Sequence, residues 1–362
     1  MLEVALKVLN QIEKHGFKAY IVGGFVRDYV LGNMTNDVDI CTDATPKDIK
    51  NIFDNITLPR MDYGAVRLDI KNYRFDIMTF RKEISYYNNR KPMEVEYITD
   101  LLSDLKRRDF TMNTLCMDKE GNIIDLLNVK VDIENRIINT VGESVDRFFE
   151  DPLRILRAIR FYTTLDFSLS EECKSAIIHT KKELSRLSYQ RKKEELEKIF
   201  CHNNVKRGID IIVELGLDKE LEIDFSNCVY NTDLIGIWAS IDVYGKYPFS
   251  KNEKDLIEKI KKVSKLNNLD FKVLFKYGLY VNIIAGSLNG TDRKRIASKY
   301  EDMPIKNKDE VNITSNQIIG LLEIEPSKKL KEIYDDLINN ILYGKVLNTY
   351  EEIVNYLISK YK

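Results

Sequence analysis

The chain has 362 residues, enough for more than one domain and a sizeable buried core. Its 56 Lys and Arg against 57 Asp and Glu leave a formal net charge of -1, which excludes a globally basic protein and confines any nucleic-acid-binding surface to local patches. No apolar run approaches the ~20 residues of a membrane-spanning helix, and the 5 scattered cysteines and 3 dispersed histidines exclude a zinc spacing, so reduced thiols in a cytoplasmic protein are expected.

The N-terminal stretch MLEVALKVLNQIEKHG carries acids among its apolar residues and reads as an amphipathic helix, not a signal peptide. Residues 18–42, KAYIVGGFVRDYVLGNMTNDVDICT, form the stretch around which the rest of the chain is organised. A short apolar run from Ala19 breaks at Gly23 and Gly24 and passes into the helix-like FVRDYVLG, with Gly32 as its stop. Glycines at a helix start let backbone N–H groups approach an anion, and Arg27, one turn in, can contact the same phosphate. Asp37 and Asp39 then alternate on one face of a strand, with Val38 and Ile40 on the other. Such a carboxylate pair suits Mg2+, which takes oxygen ligands and keeps positions open for substrate phosphates. Taken singly, the glycines read as a tight turn and the acids as a solvated strand edge.

Thr45, Pro46 and Asp48 start a further helix, as N-cap, first helical residue and first-turn acid. Residues 65–70 and 73–80 read as two strands in a hairpin-like arrangement about Lys71 and Asn72. Asp76 on the second strand either adds a third carboxylate to the metal pair or pairs with Arg74 or Arg81 at the surface. Residues 82–94, KEISYYNNRKPME, lose all periodicity and read as a mobile polar loop. In RRDFTMNT, residues 107–114, paired arginines before an acid make either a helix-end charge cluster or a nucleotide contact. In the second case Arg108 forks onto phosphate or ribose and Asp109 accepts from a ribose hydroxyl.

From Asp146 the period turns helical. In EDPLRILRAIRF, residues 150–161, Asp151, Arg154, Arg157 and Arg160 recur every third residue and drift slowly around one side. In SYQRKKEELEKI, residues 188–199, the i,i+4 pairs Arg191 with Glu195 and Glu194 with Lys198 read as a structural, salt-bridged helix. The remainder is helical, with basic clusters at 259–265, 293–299 and 328–331 that read singly as solvated faces, or together as the local basic surface that holding a folded RNA through phosphate and shape requires.

GGxVRDxxLG followed by DxDxxT resembles the nucleotidyltransferase head of the polymerase-beta superfamily, and in particular the bacterial class (class II) of CCA-adding tRNA nucleotidyltransferases and poly(A) polymerases. RRDFTMNT is similar to that family's RRDFTxNA, with Thr114 in place of alanine, and EDPLRILRAIRF fits EDxxR running into RxLRAxRF without a gap. The neck pattern SxERIRxELxKI is met with departures at Gln190 and Lys192. The resemblance is strong over residues 2–200 and weak beyond.

The resemblance implies an α+β fold: a polymerase-beta-like head with a mixed sheet over residues 1–142, closed by the connector at 121–142, an all-α neck over 143–203 that reads the base, and an α body and tail over 204–362 that hold tRNA. It further implies Mg2+-dependent addition of C, C and A to the tRNA 3′ end from CTP and ATP, releasing pyrophosphate. Asp37 and Asp39 hold metal, Asp76 joins them in catalysis, and Gly23, Gly24, Arg27, Arg108 and Asp109 bind the nucleotide. Asp151 and Arg154 face the base, Arg157 and Arg160 hold phosphates or brace that pair, and the loop at 82–94 helps the pocket pass from CTP to ATP.

Base choice has a hydrogen-bond rationale. A carboxylate only accepts and a guanidinium only donates. Cytosine and adenine each offer an exocyclic amine beside a ring-nitrogen acceptor, whereas uracil and guanine present the reverse. The implied partners are tRNA, through its 3′ end and acceptor/TΨC region, and the two nucleotides, with no membrane; the oligomeric state, a homodimer included, stays open. A poly(A) polymerase or an A-adding enzyme shares every motif quoted, although no arginine-rich signature follows the carboxylate strand. A catalytically silent nucleotide- or RNA-binding module is disfavoured by the two intact acids, and a small-molecule nucleotidyltransferase by RRDFT and EDPLR.

Overall fold

The computed structural model describes residues 1–33, 35, 37–54, 56–60, 64–70, 72–83, 86–87, 91–92, 95–230, 233–241, 243 and 245–362. These form two compact units, Met1–Glu222 and Ile223–Lys362. Among the described residues no helix is long and apolar enough to cross a membrane.

The first unit opens with the expected amphipathic helix α1 (Leu2–Lys14), which buries Ala5, Val8, Leu9 and Ile12 at helical spacing. Strand β1 (Ala19–Val22) enters helix α2 (Gly24–Val30) through Gly23, whose φ of 85° and ψ of -143° favour a residue without Cβ. Then come β2 (Val38–Thr42), α3 (Pro46–Ile52), β3 (Ile56–Arg60), β4 (Ala65–Ile70) and β5 (Tyr73–Thr79). The α3 start is as the sequence predicts: Thr45 Oγ1 accepts from Asp48 N at 3.3 Å and Asp48 Oδ2 from Thr45 N at 3.0 Å. The β4–β5 hairpin is also as expected, although residue 71 of its turn lies outside the described residues.

Residues 82–94 are not featureless. Strand β6 (Arg81–Glu83) pairs with β9 (Val95–Tyr97), and β7 (Tyr86–Tyr87) with β8 (Lys91–Pro92), both antiparallel, so alternation too short to register as a pattern still forms ladders. Residues 84–85, 88–90 and 93–94 of that expected loop lie outside the described residues. After α4 (Leu101–Lys106), strands β10 (Cys116–Met117) and β11 (Ile123–Ile124) complete a mixed sheet ordered β11-β10-β1-β2-β5-β4-β3. The β2–β5 pair is parallel and the others are antiparallel. The connector at 121–142 therefore supplies the sheet's edge strand β11 and then α5 (Lys130–Glu134). Its last strand, β12 (Ile137–Ile138), leaves that sheet and pairs with β13 (Ser168–Leu169), where the sequence reads helix alone.

The run EDPLRILRAIRF is not one helix. Helix α6 (Ser144–Glu150) ends before Asp151, which has the extended φ of -140° and ψ of 99°, and α7 (Leu153–Thr164) starts after Pro152. Proline disfavours a helical residue before it, so Asp151 lies in the break between the two helices and not in register with the arginines of α7. Helices α8 (Glu171–Thr180), α9 (Tyr189–Phe200), α10 (Val205–Glu214) and α11 (Leu217–Leu221) come next. Gly208 lets α10 close on α7 and α9: a Cβ there would lie 2.5 Å from Thr163 Oγ1 and 2.6 Å from Ile199 Cγ2.

The second unit is helical: α12 (Leu234–Ser240), α13 (Lys251–Val263), α14 (Phe271–Asn289), α15 (Arg293–Glu301), α16 (Ser315–Leu322), α17 (Lys328–Leu342) and α18 (Tyr350–Tyr361). Leu274, Ile296, Ile318, Leu337, Ile353 and Leu357 meet in its core. Helix α14 is kinked at Gly278 (φ 76°, ψ 168°), and the Gly278 carbonyl accepts from the buried Asn282 Nδ2 at 2.8 Å. Asp336 on α17 collects Lys360 Nζ at 2.8 Å, Tyr361 OH at 2.7 Å and Tyr356 OH, all from α18.

Candidate active site

The sheet places Asp39 at the centre of a carboxylate group. In the β2 register it pairs with Val22 on one side and Asp76 on the other, and a Cβ at Gly23 would lie 3.5 Å from Asp39 Oδ2. Asp37 precedes the first residue of β2 and is exposed. Burial, then the charges of Asp37 and Asp76, push the Asp39 carboxyl up to about 6 against the opposing pull of Arg108 and Arg157. A carboxylate destabilised by its own neighbours gains from a cation, so Asp37 and Asp39 fit a hard divalent ion. Asp76 faces Asp39 but is held by Arg67, at 2.8 Å from Nε and 3.3 Å from Nη2, while Arg74 pairs with Asp69. Among the described residues no group of three or more His, Cys, Asp or Glu side chains converges as a metal cluster. A cleft of ≈ 400 Å³ opens between Asp37 and the Arg67–Asp76 pair.

Behind the carboxylates the guanidinium groups gather on one ring. Arg27, 5% exposed, donates from Nε to Asp28 Oδ1 at 2.8 Å and from Nη1 to Asn113 Oδ1 at 2.9 Å. The Cζ atoms of Arg160, Arg157 and Arg27 lie 4.5, 5.7 and 5.9 Å from the centroid of the Phe161 ring, which meets Phe110 edge-on. Burial pulls Arg160 below the ordinary arginine range, and the charges of Arg157 and Arg27 add to that pull while Glu195 and Asp109 oppose it. Crowded positive charge of this kind favours a polyanion such as a triphosphate. Arg108 is anchored through Nη2 to the buried Asp104 at 3.1 Å, and its own buried Nε has no hydrogen-bond partner among the described residues.

Asp109 is already engaged. Its Oδ1 accepts from Phe110 N at 2.9 Å and Asn113 Nδ2 at 3.3 Å, and its Oδ2 from Arg157 Nε at 2.7 Å. Burial raises its pKa, but Arg157 and these bonds outweigh burial and hold the carboxyl below its usual range. Arg154 is 7% exposed and sits at the base of the arrangement, donating from Nη1 to Glu150 Oε2 at 2.9 Å and to the Arg147 carbonyl at 3.1 Å. Glu150 Oε2 also accepts from Arg147 Nη1 at 2.6 Å, so Glu150 fixes Arg154 beside the Asp151 turn. Asp151 Oδ1 accepts from Leu153 N at 3.1 Å, and Oδ2 lies 3.6 Å from Arg191 Nη2.

The helix-internal pairs expected in α9 are replaced by others. Glu195 meets Arg160 at 3.2 Å and Lys198 at 2.7 Å, Glu194 accepts from Gln190 at 2.8 Å, and Arg191 turns to Asp151. Asn113, Arg191, Arg67 and Glu150 are thus site residues to which sequence pattern assigns no nucleotide or metal role. The motif letters around Asn113 and Glu150 carried the signal for those two, and the hairpin about residues 71 and 72 carried it for Arg67, which stands directly opposite Asp76 in the register; Arg191 acts through a tertiary partner and carried none.

A model of the poly A polymerase head domain matches residues 19–139, one for the RNA and SrmB- binding site of polymerase A matches 166–223, and one for tRNA nucleotidyltransferase domain 2 matches 244–357. The CCA-adding enzyme of Ligilactobacillus salivarius is 31% identical over 387 residues, covering 97% of this chain and 94% of its own. That of Bacillus licheniformis is 41% identical over 217 residues, covering 60% of this chain and 55% of its own. The crystal structure of the Bacillus stearothermophilus CCA-adding enzyme in complex with CTP superposes with a TM-score of 0.85 at 27% identity, over 98% of this chain and 96% of that one. The Thermotoga maritima CCA-adding enzyme complexed with tRNA shares the fold, with a TM-score of 0.71 at 20% identity over 99% and 95%.

Proposed function

The chain belongs to the family of CCA-adding enzymes, and on that premise we propose how its own residues carry out the addition of C, C and A to the 3′ end of tRNA from CTP and ATP. The observation that carries the proposal is the continuous path Arg27–Asn113–Asp109–Arg157, which joins the Gly23 turn and its carboxylates to the helix next to Asp151. Residues 1–142 form the catalytic head, 143–203 the base-reading neck, and 204–362 the tRNA-holding body and tail.

Asp37 and Asp39 would hold the divalent cation, which we assign as Mg2+, with Asp76 kept beside them by Arg67. When bound, that cation supplies Lewis-acid neutralisation of the triphosphate and of the attacking 3′ oxygen. The chain's own contribution is orientation. Gly23 and Gly24 leave room for phosphate against the backbone, Arg27, Arg157 and Arg160 set a positive field about Phe161, and Arg108 offers donors to phosphate or ribose. Asp109, whose two oxygens already accept from Phe110 N, Asn113 Nδ2 and both Nε and Nη2 of Arg157, braces that field, and a ribose hydroxyl would bond to it in exchange for one of those donors. The tRNA 3′ hydroxyl attacks the α-phosphate in line, and pyrophosphate leaves.

Asp151 accepts from the exocyclic amine of cytosine or adenine and Arg154 donates to the adjacent ring nitrogen. Against uracil or guanine both would be left unpaired, a mismatch that discriminates by ~10⁴ or more in buried sites. The protein then acts as its own template. The direct test supplies a tRNA lacking its 3′ end with CTP, ATP and both together. Two cytidines from CTP and one adenosine thereafter are expected; long runs of A from ATP alone would assign a poly(A) polymerase, and a single A only on a primer already ending in CC would assign an A-adding enzyme. Replacing Asp151→Ala should lower the use of C and A and relax selectivity toward U and G. A uniform loss with fixed ratios would remove Asp151 from base recognition.

A further inference from the structure

Arg191 touches neither the carboxylates nor the guanidinium ring about Phe161, and its surroundings give it a different part. It lies in the first turn of α9, where helical spacing pairs it with Glu195, but Glu195 is taken by Arg160 at 3.2 Å and Lys198 at 2.7 Å. The Arg191 guanidinium instead crosses to Asp151, with Nη2 3.6 Å from Oδ2, while Asp151 Oδ1 accepts from Leu153 N at 3.1 Å. The two oxygens of one carboxylate are thus held from two directions, by the turn that starts α7 and by the first turn of α9. The side chains of Arg191 and Asp151 retain 32% and 28% exposure, so a ligand can reach the carboxylate. At 3.6 Å the contact is electrostatic and leaves lone pairs on Oδ2 for another donor.

We infer that Arg191 is a positioning residue for base selection: it fixes the plane of the Asp151 carboxylate so that Oδ2 presents an acceptor to the exocyclic amine of cytosine or adenine. The inference rests on the base-reading role proposed for Asp151. Without Arg191 the carboxylate, which turns about the Cβ–Cγ bond as one plane, is held only from the Leu153 side, and its wider swing carries Oδ2 off the amine position. The amine contact weakens for C and A. Uracil and guanine do not use that acceptor and lose less, so the ratios narrow. Lysine at this position keeps a charge but loses the planar fork, whereas methionine keeps only the apolar stem.

The experiment measures kcat and KM for CTP, ATP and UTP with one tRNA primer lacking its 3′ end, using the wild type, Arg191→Lys, Arg191→Met, Asp151→Ala and the Arg191→Met/Asp151→Ala double variant, each with a thermal melt. Arg191→Met is expected to raise KM for CTP and ATP about two- to fivefold and to narrow the C-to-U ratio by a similar factor. Arg191→Lys should fall between it and the wild type, and Arg191→Met should add nothing once Asp151 is gone. Unchanged ratios in Arg191→Met, an equal loss for every nucleotide, or the same loss persisting in the Asp151→Ala background would each overturn the role of Arg191. Failure of the underlying base-reading role is scored separately, by unaltered ratios in Asp151→Ala alone.

Discussion

Arg157 Nε donates to Asp109 Oδ2 at 2.7 Å, although 48 positions of sequence separate them. This charge-assisted bond makes the RRDFT segment and helix α7 one piece, and the Asn113 amide extends that piece to Arg27. Charges alternate along the path from Arg27 through the neutral amide to Asp109 and Arg157. Displacing any member therefore disturbs both helix α2 and helix α7.

Asn113 is the member whose chemistry is least replaceable, because one end must accept from a guanidinium and the other must donate to a carboxylate. At 8% exposure, Asn113→Leu should cost about 1 to 3 kcal/mol for the groups left unpaired. Asn113→Asp restores the acceptor for Arg27 but sets a second carboxylate against Asp109, and nucleotide KM should rise in both variants. Urea midpoints and KM values at wild-type level would show that the amide bridges nothing of consequence.

Asp39→Asn keeps shape and removes charge. It also relieves the repulsion among Asp37, Asp39 and Asp76 that pushes Asp39 up to about 6, so the melting temperature should hold or rise. Nucleotide transfer should fall by at least about 10³-fold, the equivalent of several kcal/mol of cation binding and charge stabilisation. Turnover close to wild type with all four nucleotides assayed would refute the metal assignment.

Gly208→Ala tests the crossing of α10 on α7 and α9. A Cβ would lie 2.5 Å from Thr163 Oγ1 and 2.6 Å from Ile199 Cγ2, so these side chains or the helices that carry them must shift, at a cost of about 1 to 3 kcal/mol. Adding Thr163→Ala should recover part of that loss in chemical denaturation. If Gly208→Ala unfolded at the wild-type denaturant concentration, the close crossing would not be required.

Asp336 ties α17 to α18. Burial acts to raise its pKa, but the bonds from Lys360, Tyr356 and Tyr361 prevail and bring it down to about 2 from the ordinary 3.8. A carboxyl with a lowered folded pKa stabilises fully above its unfolded value, and that contribution disappears as pH falls from about 4 through about 2. Melts of the wild type and Asp336→Asn across that window should converge toward the acid end, with the wild type the more stable above it. A gap independent of pH would leave the three bonds without an electrostatic role.

Much of the head was legible because its grammar is local. Gly23 at a strand end, Asp39 on a strand and Thr45 before Pro46 each follow from backbone sterics and capping within a few residues. The break at Asp151 was equally local, signalled by Pro152, but the three-residue recurrence of the arginines masked it. What stayed hidden depends on tertiary choice. Arg191 has an acid four residues on and a second one across the site at Asp151, and nothing in the spacing says which wins. The burial of Arg154 likewise depends on carbonyls of residues 107 and 147 that fold beneath it. Strands as short as β7 and β8 are set by their pairing partner more than by their own residues.

The interruption at Gly278 divides α14 into two lengths whose backbone ladders do not run on from one to the other. Fraying that starts at the Phe271 end therefore meets a stop at the break, where the Asn282 side-chain amide holds the Gly278 carbonyl from within the second length. Amide hydrogen exchange along this element should accordingly resolve into two segments with their own opening free energies, and the segment that contains the buried Asn282, Ile284 and Ala285 should exchange more slowly than the stretch before Gly278.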